Sequence, residues 1–140
     1  MAITVNDFAH LGRPLPVSYE ALDRDPTEFE SLMHHSRGEA SRDRGQLVGP
    51  WRTHQWETDA IEHGGRTVGR IFLSKWHPNA GHPDGGVWVV VGMFAALPLG
   101  DEVGMVWIDG AGSRAPVRVP ATPEGIATEL VGIWDTHFTR

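Results

Sequence analysis

The segment Val87-Trp88-Val89-Val90-Val91-Gly92-Met93-Phe94-Ala95-Ala96-Leu97 contains no charged side chain. Its first half consists of β-branched and aromatic residues, which favour a strand over a helix. Apolar residues occupy both alternating faces of this strand, as in strands that are buried on both sides. The segment therefore predicts the centre of a β-sheet.

Four further strand-like segments surround this centre, and turn signals separate them. The glycine-containing turn at residues 63–66 predicts a hairpin between the two segments that precede the central one. Breaker-rich turns at residues 98–101 and 109–112 return the chain twice more. The order predicts a single antiparallel sheet of about five strands in a meander: Trp51–Glu62, Thr67–Trp76, Val87–Leu97, Glu102–Ile108 and Pro116–Val119.

A helix is predicted on each side of the sheet segments along the chain. The first begins at Asp25-Pro26, a capping residue followed by a proline, and ends at Arg37 with Gly38 just beyond it. The second begins after Thr122 and presents one apolar face. The sequence thus predicts one α+β domain over residues 1–140, with both helices on one face of the sheet. We expect an irregular arm at residues 1–24 and a polar loop at residues 38–46.

The first strand alternates between two sets of side chains. One set, Gln55, Glu57 and Asp59, is polar and is expected to face water. The other set includes His54 and Trp56 and is expected to face the interior. This orientation underlies each of the site predictions that involve the first strand.

Composition excludes several classes of protein. The chain has no cysteine, so disulfides, thiolate metal sites and cysteine nucleophiles are absent. Its formal net charge of -6 argues against a nucleic-acid binder, which needs a basic surface. No apolar run is long enough for a membrane span, and the first residues lack the features of a secretory signal. These observations predict a cytoplasmic protein with no nucleic-acid or membrane partner.

His54 is the candidate general base. An interior histidine needs a polar partner, and Asp109 and Asp135 each lie near the end of an element. With one of them as the orienting group, a small isomerase, cyclase or lyase working by proton transfer without a cofactor is one hypothesis. The alternative is a histidine that is hydrogen-bonded within the core.

A weaker pattern concerns metal binding. His77, His82 and Asp84 occur within one turn rich in glycine and proline, and such side chains ligate metals. Their spacing lacks the fixed geometry of a helical pair, so a solvent-exposed connection is the competing interpretation. No cofactor is predicted.

The six tryptophans fall into two groups. Trp88, Trp107 and Trp134 lie in strongly apolar segments and are expected in the core. Trp51, Trp56 and Trp76 lie near strand ends. They either join the core, line a pocket for an apolar ligand, or contact a protein partner.

The function that the sequence favours is a small acidic protein-binding module, for example an inhibitor, an immunity-type antagonist or an assembly protein. Glu57 and Asp59, if exposed, would form an acidic strip that suits a basic partner. The alternatives are the proton-transfer enzyme and a binder of an apolar small molecule.

Overall fold

The computed structural model describes residues 28–43, 54–63, 66–78 and 86–138. In these ranges the chain forms two helices and six strands, and neither helix is long and apolar enough to cross a lipid bilayer. The predicted α+β class, with one helix before the sheet and one after it, is confirmed. The arm predicted at residues 1–24 and Trp51 lie outside the described residues. The elements are α1 (Glu28–Asp43), β1 (His54–His63), β2 (Arg66–Pro78), β3 (Gly86–Leu99), β4 (Glu102–Asp109), β5 (Gly112–Ser113), β6 (Val117–Pro120) and α2 (Pro123–Phe138).

The strands form one antiparallel sheet in meander order. The order is β1-β2-β3-β4-β5, and β6 also pairs with β4. The predicted central strand, β3, therefore lies between β2 and β4. The two-residue strand β5 was not predicted, since a segment of that length has no periodicity to detect. Between β3 and β4 the chain reverses at Gly100, whose φ of 74° is a conformation that glycine adopts without strain.

Apolar side chains are buried on both faces of the sheet. The helix face, as we call it, packs against α1 and α2, and its cluster includes Trp56, Phe94 and Trp107 from the sheet and Leu130 and Trp134 from α2. The opposite face, called here the distal face, holds a second cluster that contains no residue of either helix. Its members are Val68, Phe72, Met93, Ala95, Leu97 and Val106, all 2 % exposed or less. The prediction that both helices cover one face agrees with the helix-face cluster.

Helix α1 is longer than the sequence predicted. It continues through Gly38 to Asp43, so the predicted helix end at Gly38 and the first part of the predicted polar loop at residues 38–46 are wrong. The remaining loop residues, 44–46, lie outside the described ranges. The reason for the difference is that small side chains continue the buried stripe of the helix. Ser36 and Ala40 are buried beyond Met33, and the hydroxyl of Ser36 donates to the carbonyl of Leu32.

The start of α2 is as predicted. The side chain of Thr122 accepts a hydrogen bond of 3.1 Å from the backbone N–H of Gly125, so it caps the first turn. Pro123 occupies the first helical position, where a missing N–H is not needed. This capped helix carries the apolar face that covers the sheet.

Replacement of Gly38 by alanine tests the extended α1. A Cβ at Gly38 meets no atom within 4 Å, and the residue is helical, so Gly38→Ala should raise the free energy of unfolding. We expect a gain of about 0.5–1 kcal/mol, measured by denaturant titration.

Gly100→Ala is the matched control for this test, because a Cβ there also meets no atom within 4 Å. Its positive φ makes alanine unfavourable, so we expect a loss of about 1 kcal/mol or more. A loss at Gly38 as well would mean that this residue ends the helix in a left-handed conformation.

Candidate functional site

His54 and Trp56 both point into the helix face of the sheet. They are 8 % and 7 % exposed, and the alternation of β1 places them on the same side. The predicted inward orientation of these two residues is therefore confirmed. Trp56 belongs to the helix-face core, which is the first of the three interpretations that the sequence allowed.

The rings of this region make successive contacts between the sheet and α2. His54 meets Trp134 with 6.2 Å between ring centroids, and Trp134 meets Trp56 at 6.1 Å. Further contacts follow from Trp56 to Phe94, from Phe94 to Trp107 and from Trp107 to His137. We call this set of six residues the aromatic row. It joins β1, β3 and β4 to one helix, with an imidazole at each end.

Asp109 is not placed to orient His54. It lies in β4, three strands away from β1, which corresponds to about 14 Å at the usual strand spacing. Its carboxylate accepts one hydrogen bond of 2.8 Å from the indole N–H of Trp107 and another from the N–H of Ala111. The prediction for Asp109 as the partner of His54 is therefore wrong, because the carboxylate stabilises the turn after β4.

Asp135 follows Trp134 directly in α2, next to the indole that contacts His54. Of Asp109 and Asp135, Asp135 is therefore the carboxylate that lies nearer along the fold to the His54 end of the aromatic row. Its role as an orienting group for a general base stays a prediction.

The acidic strip expected on β1 is not exposed. Glu57 is 3 % exposed and Asp59 is 9 % exposed, so the prediction that these carboxylates face water is wrong. The reason is that their side of β1 belongs to the distal face. There Glu57 lies opposite Phe72, which is itself fully buried. Periodicity assigned the two faces correctly, but it could not show that both are covered.

Each buried carboxylate of β1 has a polar partner. Asp59 accepts two hydrogen bonds from Arg70 of the adjacent strand, from Nε to Oδ1 at 2.8 Å and from Nη2 to Oδ2 at 2.6 Å. The Arg70 guanidinium also lies 5.3 Å from the centre of the Phe72 ring. Glu57 accepts a hydrogen bond of 2.7 Å from the side-chain amide of Gln55. Burial raises the pKa of Glu57, and the attraction of Arg37 opposes this shift in part.

Polar contacts also join α1 to β1. Arg37 donates to the carbonyl of Trp56 at 3.0 Å and to Nε2 of His34 at 3.2 Å. Because a guanidinium can only donate, Nε2 of His34 accepts, and Nδ1 carries the proton that it donates to the Thr58 hydroxyl at 2.7 Å. Burial and the nearby charge of Arg37 lower the pKa of His34 accordingly. Sequence analysis missed the contacts between α1 and β1, because they join residues 19 and 24 positions apart.

A shallow cleft of about 260 Å³ lies along α1 and is lined by His34, His35, Gly38 and Glu39. His35 donates from Nδ1 to the carbonyl of Ser31 at 2.7 Å. The adjacent histidines point in different directions, one to β1 and one to solvent, as their spacing on a helix requires. None of the predicted catalytic or binding residues lines this cleft.

The predicted metal ligands are His77, at the end of β2, and His82 and Asp84, which follow β2 in the sequence. His82 and Asp84 lie outside the described residues, as does the side chain of His77. Among the side chains that the structure does describe, no three histidine, aspartate or glutamate residues come together as a metal site. Metal binding at the turn after β2 stays a prediction.

Within the described ranges, β2 and β3 continue past their last pairs with β1 and β4. The last pair between β1 and β2 is His54 with Lys75, and the last pair between β3 and β4 is Gly92 with Asp109. Residues 76–78 pair with residues 86–88 and with no other described strand, and Val89 and Val90 pair with Lys75 and Ser74 of β2. We call residues 76–78 and 86–91 the ribbon. Val90 and Val91 still pack against the two core clusters, whereas Val89 is exposed.

The ribbon carries apolar side chains on both faces. Trp76 and Trp88 are half-buried and meet edge to face at 5.3 Å on the distal side, so Trp88 is not the core residue that was predicted. On the helix side, Val89 is 47 % exposed and pairs with Lys75, which is exposed. Of the residues predicted for binding that the structure describes, Trp76 is the one that it places at an accessible surface.

Replacement of Glu57 by glutamine tests the burial of this carboxylate. A raised pKa means that the folded protein holds this proton more tightly than the unfolded chain. Its contribution to stability is therefore present at low pH and is lost as the pH rises from about 4.5 through the folded pKa. Glu57→Gln should gain stability relative to the original protein over the same interval, as followed by denaturant unfolding at several pH values.

Asp101→Asn is the control for that experiment, since it removes one carboxylate from an exposed position outside the helices. It reports what the loss of a surface charge does by itself. A stability difference for Glu57→Gln that does not change with pH would mean that this carboxylate is solvated.

Comparison with known proteins adds no assignment. The chain matches no model of a protein family, no curated protein and no solved structure. Conclusions about function therefore depend on the contacts, burial and charges described above.

Proposed function

We propose that this protein is a protein-binding module and that the ribbon is its contact surface. The observation that carries the proposal is the position of Val89, a large aliphatic side chain that is 47 % exposed on the part of β3 that extends past β4. The half-buried pair Trp76 and Trp88 lies on the opposite side of the same strands. Aromatic side chains in such positions are frequent anchors of protein interfaces.

Charge distribution supports a contact that is mainly apolar. The acidic strip that would have selected a basic partner is buried on the distal face, so its carboxylates do not reach a partner. In the ribbon, residues 86–91 carry no charge, and the neighbouring charged group is Lys75. The proposed partner therefore presents an apolar surface, and it need not be basic. A cytoplasmic location is part of the proposal, supported by a composition that needs no disulfide.

Val89→Asp is the variant that tests the proposed contact surface. A carboxylate at this exposed position should leave the fold intact and should place an unpaired charge in the interface. We expect binding at least about tenfold weaker, which corresponds to about 1.4 kcal/mol. The measurement is quantitative affinity capture from a cytosolic extract, followed by a binding titration with each purified partner.

Val117→Asp provides the matched control. Val117 is the other large hydrophobic side chain that is exposed in the described residues, at 36 %, and it lies in β6. It receives the same substitution away from the ribbon. Equal losses for the two variants, or a loss for Val117→Asp alone, would contradict the proposed surface.

A further inference from the structure

Among the residues that the structure describes, no strand pairs with the outer edge of β3 along residues 86–91. Strand β4 ends where Asp109 pairs with Gly92, whereas β3 continues to Gly86. Among the described strands, β2 alone pairs with residues 86–90, and the register shift of β2 and β3 skips Val91. Alternate backbone N–H and C=O groups of a strand point to each of its sides, so those of the outer side are available to another strand.

This edge lacks the features by which other edges of the sheet avoid pairing. Strand β6 is four residues long and contains Arg118 and Pro120. Strand β1 contains several carboxylates along its length. The open edge, by contrast, is Gly-Val-Trp-Val-Val-Val, with no charge and no proline. Long, uncharged edges of β-branched and aromatic residues are templates for strand addition.

From these observations we infer that a second copy of this chain binds antiparallel along residues 86–91, so that the two sheets become continuous. The inference rests on the proposed function and names the partner at the same surface. A two-fold axis perpendicular to the sheet brings like faces together. With the axis near Trp88, the two Trp88 side chains meet beside their Trp76 neighbours on the distal side. The Val89 side chains then lie close together on the helix side.

Charge does not prevent this pairing, although each chain has a formal net charge of -6. The nearest described charged side chain, Lys75, belongs to β2, one strand behind the edge. Three strand spacings therefore separate the two copies of Lys75, about 14 Å. This distance exceeds the Debye length of about 8 Å at physiological salt, so their repulsion is largely screened.

The size of the contact sets the expected strength. Five or six residues from each copy form a small interface, well below that of a permanent dimer. We therefore expect reversible association with a dissociation constant on the order of micromolar to hundreds of micromolar.

Sedimentation equilibrium of the full chain tests the inference, over concentrations from roughly 1 µM to 1 mM chosen to bracket that range. The average mass should rise from 15.4 kDa towards twice that value. Val89→Asp should weaken dimerisation at least about tenfold, and Val117→Asp should leave it unchanged. Circular dichroism spectra establish that both variants are folded.

Hydrogen exchange of the unmodified protein provides a second measurement that needs no variant. Amides of residues 86–91 should become more protected as concentration rises, since strand pairing occupies their outward N–H groups. Exchange in α2 should not change with concentration.

Three results would overturn the inference: a monomer throughout the concentration range, a dimer without added protection at residues 86–91, or equal weakening by both variants. If the protein is monomeric and Val89→Asp still weakens binding of a captured partner, the second copy is excluded as the partner and the proposed function is retained. If no other protein is captured and the dimer is weakened by Val89→Asp, the ribbon serves self-association alone.

Discussion

The packing of α2 against the helix face of the sheet is the constraint on which the rest of the structure depends. Trp134 of this helix lies between His54 and Trp56 of β1, and the ring contacts continue through Phe94 to Trp107. A single helix thereby holds three strands that are not all neighbours. Gly92 is part of the same arrangement, because a Cβ there would stand 2.5 Å from Cζ2 of Trp107. Large rings require a small residue where they cross the central strand.

Burial of both faces makes the polar groups of β1 structural. Asp59 is held by two hydrogen bonds from Arg70, and Glu57 by one from Gln55, where a strand with one solvated face would leave them in water. A buried carboxylate without such a partner would cost several kcal/mol. The same requirement explains why Arg37 reaches from α1 to the carbonyl of Trp56. The Arg37 contact fixes how α1 lies on the sheet. The burial of Glu57 and Asp59 removes the acidic strip as a docking surface.

The ribbon differs from the rest of the sheet because the described pairs with β1 and β4 end before it. Side chains that would be interior in a longer sheet, such as Val89, are exposed there. Its backbone edge is open for the same reason. An apolar surface and an unpaired edge occurring on the same residues are the physical basis for placing a partner at this position. The β-bulge between Leu73 and Ser74, at the base of the ribbon, marks the change of register from the core sheet.

The sequence by itself determined the class of fold, the order of the strands and the sides to which His54 and Trp56 point. Those features depend on local periodicity, on turn residues and on the caps of Thr122 and Pro123, all of which are short-range signals. The tertiary structure decided what each face meets. It buried Glu57 and Asp59, occupied Asp109 with Trp107, and extended α1 past Gly38 through the packing of Ala40. It also left Trp88 half-buried and Val89 exposed. Each of these outcomes depends on which elements end where and on contacts between distant segments, and no local pattern of side chains contains that information.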